Sequence, residues 1–242
     1  MASATRPTTW LVTGASRGIG LEFVRLLVSF PEHVVIAACR RPESATPLQA
    51  LKESERGERL HVVRMDVSDF DSIRASVKQL EPILGEVGLD YLINNAGIIT
   101  EDTAFTLGPE QLMDILRTNA AGPALVSQVC LPFLEKGTRK VVLNVSSTGG
   151  SIATSDQRKD KKYTSYSMSK AALNMLTVKQ KAERPDIIAV TLDPGWVKTD
   201  MGGKDGLLEP EESISNILKI VTSATSADSG KYLRYNGESL PW

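Results

Sequence analysis

The stretch "TTWLVTGASRGIGLEFVRLLVSF", residues 8–30, changes its period in the middle. Up to Thr13 it is a short apolar and β-branched run of the kind that forms a strand. Beyond the glycines, Ile19, Phe23, Leu26 and Leu27 recur at helical spacing. Strand, glycine turn and helix in that order open an α/β fold. Gly14 permits the tight turn, Gly18 lets a backbone approach a pyrophosphate, and Gly20 lets the helix pack on the sheet. Phosphates would meet the N–H groups at the helix N-terminus. The spacing is G-x-x-x-G-x-G, not the more familiar G-x-G-x-x-G. Ser16, Arg17 and Ile19 lie in the same turn and join the expected nucleotide-binding set.

The same alternation continues along the chain. "HVVIAAC", "LHVVRMDV", "LDYLINNAG", "KVVLNVSS", "IIAVTLDPG" and "GKYLRYNG" read as further strands, most of them nearly continuous in apolar residues. Strands buried on both faces of a parallel sheet look like this. Helical patterns fill the gaps at 69–84, 109–135, 164–183 and 210–223, with a weaker one at 47–55. Pro109 with Glu110, and Pro210 with Glu211 and Glu212, suit first helical turns. No linker or repeat divides the 242 residues. The expectation is one Rossmann-like domain over 1–242, a doubly wound parallel sheet of about seven strands with helices on both faces. Ligands of such sheets bind beyond the strands' carboxyl ends.

Composition narrows the function. A formal net charge of −1 gives no broad attraction to nucleic acid or an anionic membrane. Cys39, Cys130, His33 and His61 lack metal-ligand spacing, which argues against a zinc site and for a reducing compartment. "MASATRPTTW" has no signal-peptide core and no stretch is apolar enough to span a bilayer, so a cytoplasmic enzyme without membrane or nucleic-acid partners is expected.

Two further features carry chemistry. The second strand ends in "AACRR", and twenty residues beyond Gly20 stands Arg40, where folds that bind an unphosphorylated adenosine ribose place an acid. Arg40, with Arg17 in the glycine turn, favours a 2′-phosphate and so NADP(H). In "YSMSK", residues 166–170, Tyr166 and Lys170 share one helix face. A free tyrosine titrates near pH 10, too high for a neutral-pH base. A lysine one turn away, a cationic oxidised nicotinamide and a helix N-terminus all favour the phenolate. Tyr163, the nearest alternative, has Ser167 where a lysine would be needed.

Together "TGASRGIG", "MDV", "NNAG", "TNAAG", "NVSS", "YSMSK" and "PGWVKT" resemble, in order and over the whole chain, the short-chain dehydrogenases/reductases. The tail "YLRYNGESLPW" and the run "DPGWVKTDMGG" look most like the family's carbonyl-reductase branch of sniffer and C-factor type. The resemblance implies Tyr166 as acid/base, with Lys170 lowering its pKa and bonding the nicotinamide ribose. It implies Ser147 orienting the substrate oxygen and Asn119 holding a water behind the lysine. It also places Asp66 and Val67 at the adenine, Asn94 in the wall of the adenosine pocket, and Val197 and Thr199 at the nicotinamide carboxamide. The implied activity is NADPH-dependent reduction of a ketone or aldehyde to an alcohol, by a homodimer or homotetramer. Alcohol oxidation uses the same residues, and a nucleotide-sensing scaffold is the alternative outside catalysis.

One departure matters. Ser147 and Tyr166 are 19 residues apart, longer than the family's usual separation. The charged insert at 156–162 reads as an exposed loop, and it leaves Ser146 and Ser147 as alternatives for the catalytic serine. Strand alternation sends only one of them to the cleft.

Overall fold

Why the strands read as unbroken apolar runs is visible at residues 10–12 of the first strand. In the computed structural model, which describes residues 6–54, 58–155 and 161–242, Trp10 and Val12 pack on one face of the sheet and Leu11 on the other. Each successive side chain meets a different layer of helices, so no position can be polar without a partner. The strands are β1 (Thr8–Thr13), β2 (His33–Cys39), β3 (Leu60–Arg64), β4 (Tyr91–Asn94), β5 (Val141–Val145), β6 (Ile188–Asp193) and β7 (Tyr232–Arg234). They form one parallel sheet of seven strands in the order β3-β2-β1-β4-β5-β6-β7.

Helices α1 (Gly18–Leu27), α2 (Thr46–Glu53) and α8 (Pro210–Ser223) cover one face, through Phe23, Leu27, Leu48, Ile214, Ile217 and Val221. Helices α3 (Phe70–Leu84) and α5 (Gly122–Lys136) cover the other, through Ile73, Leu80, Val126, Cys130 and Phe133. Helices α4 (Pro109–Leu116) and α7 (Thr164–Glu183) pack against each other, α7 also lying on β5 and β6, and α6 (Ile152–Ser155) is one turn long. Pro109 and Pro210 do open their helices, where a missing N–H costs nothing. The insert's residues 156–160 lie outside the described residues; Lys162 pairs with Glu101 at 2.6 Å.

The expected helix over 109–135 is three pieces. Residues 117–121 between α4 and α5 form a π turn, where the Gly122 N–H reaches back five residues to the Arg117 carbonyl. Two residues enforce the wider turn. Pro123 has no N–H for the Asn119 carbonyl four residues back. A Cβ at Gly122 would stand 2.4 Å from the Val67 carbonyl oxygen, so only glycine fits against that loop. Single π turns inside helices often mark functional sites. Here the turn carries Asn119.

Strand order reverses between β1 and β4, and the register lines the strand ends up along one edge. Thr13 pairs with Ala38, Cys39 with Arg64, Asn94 with Asn144 and Val145 with Leu192. That crevice is where doubly wound sheets hold ligands.

Candidate active site

The glycine turn is built to stay open. Gly14 and Gly18 have φ of +67° and +55°, a region that side chains strain to adopt. A Cβ at Gly14 would lie 2.8 Å from Ala96 Cα, and one at Gly20 only 2.3 Å from the Gly14 oxygen. Asn95 and Thr13 hold the turn in place. The Asn95 amide donates to the Thr13 and Gly14 carbonyls at 2.8 and 3.4 Å, and the Thr13 hydroxyl accepts from the Asn95 and Ala96 N–H groups. The two residues are the supports the sequence reading missed. The doublet "NNAG" was the available signal, but spacing alone does not say which asparagine faces the turn.

Asn94, expected in the wall of the adenosine pocket, turns its side chain the other way. Its side chain is 2% exposed and points into the sheet, donating to Asn144 Oδ1 at 2.9 Å and Ser127 Oγ at 3.2 Å. Asn94 therefore ties β4 to β5 and α5, and only its main chain is left to wall a pocket.

Arg40 stands exposed just past the end of β2, with no side-chain hydrogen bond or ion pair among the described residues. Arg17 lies opposite the loop after β6, its guanidinium 3.7 Å from Asp200 with both side chains exposed. Asp66, just beyond β3, accepts from the Ser68 N–H and hydroxyl through one oxygen, and Val67 is buried against α5. After Pro194-Gly195 the chain doubles back, Val197 bridging to Leu208 and Thr199 to Gly203. A Cβ on Gly18 would touch Thr199 at 3.6 Å. The segment expected to meet a nicotinamide thus lies over the glycine turn expected to meet its phosphates.

On the other side of the crevice, the two candidate serines bond in opposite directions. Ser146 is 2% exposed and donates to Asn174 Oδ1 at 2.7 Å, inside the protein. Ser147 points the other way, half-buried, its Oγ accepting from the Gly149 N–H at the start of a 3-10 turn. A Cβ at Gly150 would be 2.8 Å from the Lys170 main chain, so the serine turn rests directly on α7. Asn174 completes this seam, also donating to the Gly150 carbonyl at 3.2 Å. Tyr166, Lys170 and Asn174 follow at i, i+4 and i+8, one stripe along α7.

Lys170 is 4% exposed, donates to the Val145 carbonyl at 2.8 Å and lies 5.5 Å from the centre of the Tyr166 ring. Burial lowers its pKa to about 8, against an opposing pull from the Asp193 carboxylate. It remains mostly charged at neutral pH, poised rather than fixed. The fold binds fewer protons here than the unfolded chain between pH 8 and 10.5, so wild-type stability should rise across that window. Measured against Lys170→Met, which cannot titrate, wild type should gain on the order of 3 kcal/mol between pH 7 and pH 10.5. A constant difference in denaturant midpoints would contradict the buried ammonium.

Asn119 reaches this cluster as a clasp. Its amide donates to the Ile98 carbonyl at 2.8 Å and to Ser169 Oγ at 3.0 Å, and its oxygen accepts from the Ile98 N–H at 2.8 Å. Gly97 makes room: a Cβ there would be 3.3 Å from Asn119 Oδ1 and 3.7 Å from Lys170 Nζ. Asp102, also unforeseen, caps α7 from the same loop, accepting from the Ser165 N–H at 3.0 Å and from its hydroxyl. Tyr163, the residue before α7, has φ of +63° and supplies no side-chain cap, so Asp102 stands in. Asp102→Ala should cost about 1–2 kcal/mol, read as a lower denaturant midpoint; an unchanged midpoint would refute the cap.

A family model described as "short chain dehydrogenase" matches residues 8–207. Among curated proteins, the short chain dehydrogenase gsfK of Penicillium aethiopicum is 32% identical, the alignment covering 98% of this chain and all of that one. Among solved structures, the NADPH-bound carbonyl reductase from chicken fatty liver superposes with a TM-score of 0.89 at 36% identity, and the carbonyl reductase Sniffer of D. melanogaster with 0.90 at 30%. Each covers 98% of this chain and all of its own. No helix among the described residues is long and apolar enough to cross a membrane. By whole-chain similarity as well as by its ordered motifs, the chain belongs to the short-chain dehydrogenase/reductase family of oxidoreductases.

Proposed function

We propose that this protein is an NADPH-dependent carbonyl reductase, converting a ketone or aldehyde to an alcohol with Tyr166 as the proton donor. The observation that carries the reading is the buried Lys170 ammonium, 5.5 Å from the Tyr166 ring, where the serine turn and the Asn119 clasp also meet α7. Burying a charge there lowers its pKa and destabilises the fold. A scaffold has no use for such a cost.

The residues present fit the cofactor. The glycine turn leaves no side chain between its backbone and a pyrophosphate, and the Arg40 guanidinium, without an ion pair among the described residues, waits at the end of β2. Gly14, Ser16, Gly18, Ile19 and Gly20 would hold the pyrophosphate, and Arg40 with Arg17 the 2′-phosphate. Asp66 and Val67 would take the adenine, and Val197 and Thr199 the nicotinamide carboxamide. Bound NADPH supplies the hydride.

The protein's own part is positional and protonic. Ser147 donates a hydrogen bond to the substrate oxygen, and Tyr166 gives its phenolic proton to that oxygen as the alcohol forms. Lys170 stabilises the phenolate left behind and bonds the nicotinamide ribose. Because the Asn119 side chain is spent on Ile98 and Ser169, a water behind Lys170 falls to its main-chain carbonyl, which Pro123 does not engage. Exposed Met113 on α4 and Met168 and Met175 on α7 suit a homo-oligomer through those helices. Loss of NADPH absorbance across a panel of ketones and aldehydes tests the activity. Binding of NADPH without turnover of any carbonyl would replace it with a sensing role.

A further inference from the structure

The serine turn is gripped from a second side, by the chain's last described residues. After β7 the chain reverses at Asn236-Gly237, where Gly237 has φ of +87°. It returns antiparallel, with Leu233 bridging to Ser239 and the Leu240 N–H bonding the Tyr232 carbonyl at 2.7 Å. This brings Trp242 over Tyr232, ring centres 5.3 Å apart and planes 23° from parallel. The Tyr232 hydroxyl donates to the main-chain oxygen of Ser147. The tail's main chain also holds the residues that follow the serine. The Ser151 hydroxyl, 1% exposed as a residue, donates to the Pro241 carbonyl at 2.7 Å, and the Ala153 N–H to the Trp242 main-chain oxygen at 3.1 Å.

We propose that Trp242 is a positioning residue for Ser147: its ring pins Tyr232, whose hydroxyl holds the serine's carbonyl and so aims the side chain at the cleft. The same peptide is held at two other points: Asp193 accepts from its Thr148 N–H at 3.0 Å, and the Gly150 N–H donates to the Ser147 carbonyl at 2.8 Å. The Tyr232 contact reaches that peptide from β7. Aromatic stacking suits the task, since it fixes ring orientation as well as distance. The catalytic half of this inference rests on the carbonyl-reductase reading; the clamp itself does not.

The test is a double-mutant cycle in the full chain. Trp242→Ala and Tyr232→Phe should each lower kcat for NADPH-dependent carbonyl reduction about tenfold, less than the roughly hundredfold that an ångström of misplacement costs. The affinity for NADPH should not change. Trp242→Phe, which keeps a ring on Tyr232, should stay within about twofold of wild type. The double variant should be no worse than Tyr232→Phe alone, because both changes sever one connection. Native-state hydrogen exchange of Trp242→Ala should quicken at the amides of 149–153 and leave the β1–α1 turn unchanged. Losses that multiply in the double variant, or wild-type kcat in Trp242→Ala, would overturn the proposal. If Trp242→Ala does not fold, Tyr232→Phe decides: it deletes one hydroxyl, and unchanged kcat and exchange there would overturn it equally. Exchange needs no turnover. A chain that reduces no carbonyl therefore ends the functional reading, while the clamp stands or falls on the exchange of 149–153.

Discussion

Tyr166→Phe is expected to lower kcat for carbonyl reduction by about a thousandfold or more while NADPH affinity stays within about twofold. General acid catalysis by a positioned side chain is worth about 10²–10⁴-fold, and this substitution removes the acid while keeping the ring. The ring remains to pack beside Lys170, whose ammonium keeps its bond to Val145 and its reach to a ribose. The nearest other phenol along the chain, Tyr163, cannot substitute, since it sits before the first turn of α7 in a left-handed conformation. Steady-state rates with fluorescence titration of NADPH separate the two effects. Activity within a few-fold of wild type would remove Tyr166 from the chemistry and with it the reason for burying Lys170. A large loss of NADPH affinity would instead make the phenol a binding group.

The sheet was legible because parallel strands buried on both faces cannot hide their apolar runs. Trp10, Leu11 and Val12 face different layers, yet all three have to be apolar. The glycine turn was legible because positive φ and close approach leave few other residues. What the sequence concealed was the outcome of tertiary choices. The π turn at 117–121 interrupts a helix without interrupting its apolar pattern, and the hint lay in the pair Gly122-Pro123. Asn94 and Asn95 are adjacent and chemically identical, and register with Asn144 and Thr13 decides which meets the glycine turn. Ser146 and Ser147 are divided in the same way, by Asn174 on the facing helix. The supports of the site were hardest to see. Asp102 meets Ser165 across 63 residues and Tyr232 meets Ser147 across 85, separations over which no local period exists. Asn236-Gly237 announced a hairpin, but not what its return strand would touch.

Arg40→Asp is expected to shift the ratio of kcat/KM for NADPH over NADH by about a hundredfold or more, towards NADH. A charge-assisted contact to the 2′-phosphate is worth about 1.5–3 kcal/mol, discounted because Arg40 is exposed. The aspartate replaces that attraction with repulsion from the phosphate, and it offers an acceptor to the ribose hydroxyls of NADH. Even 1.4 kcal/mol from each change multiplies to about a hundredfold. Arg17 should matter less. Its guanidinium already faces Asp200 at 3.7 Å, so part of its charge is answered within the protein, whereas Arg40 has no ion pair among the described residues. Arg17→Ala should accordingly move the ratio by less than Arg40→Ala. Both arginines are open to solvent, so raising the salt concentration should weaken NADPH more than NADH in wild type and leave Arg40→Asp nearly indifferent. Equal ratios in wild type and Arg40→Asp would show that the end of β2 does not read the phosphate. A wild-type preference for NADH would leave the exposed guanidinium at Arg40 without a ligand and overturn the cofactor assignment built on it.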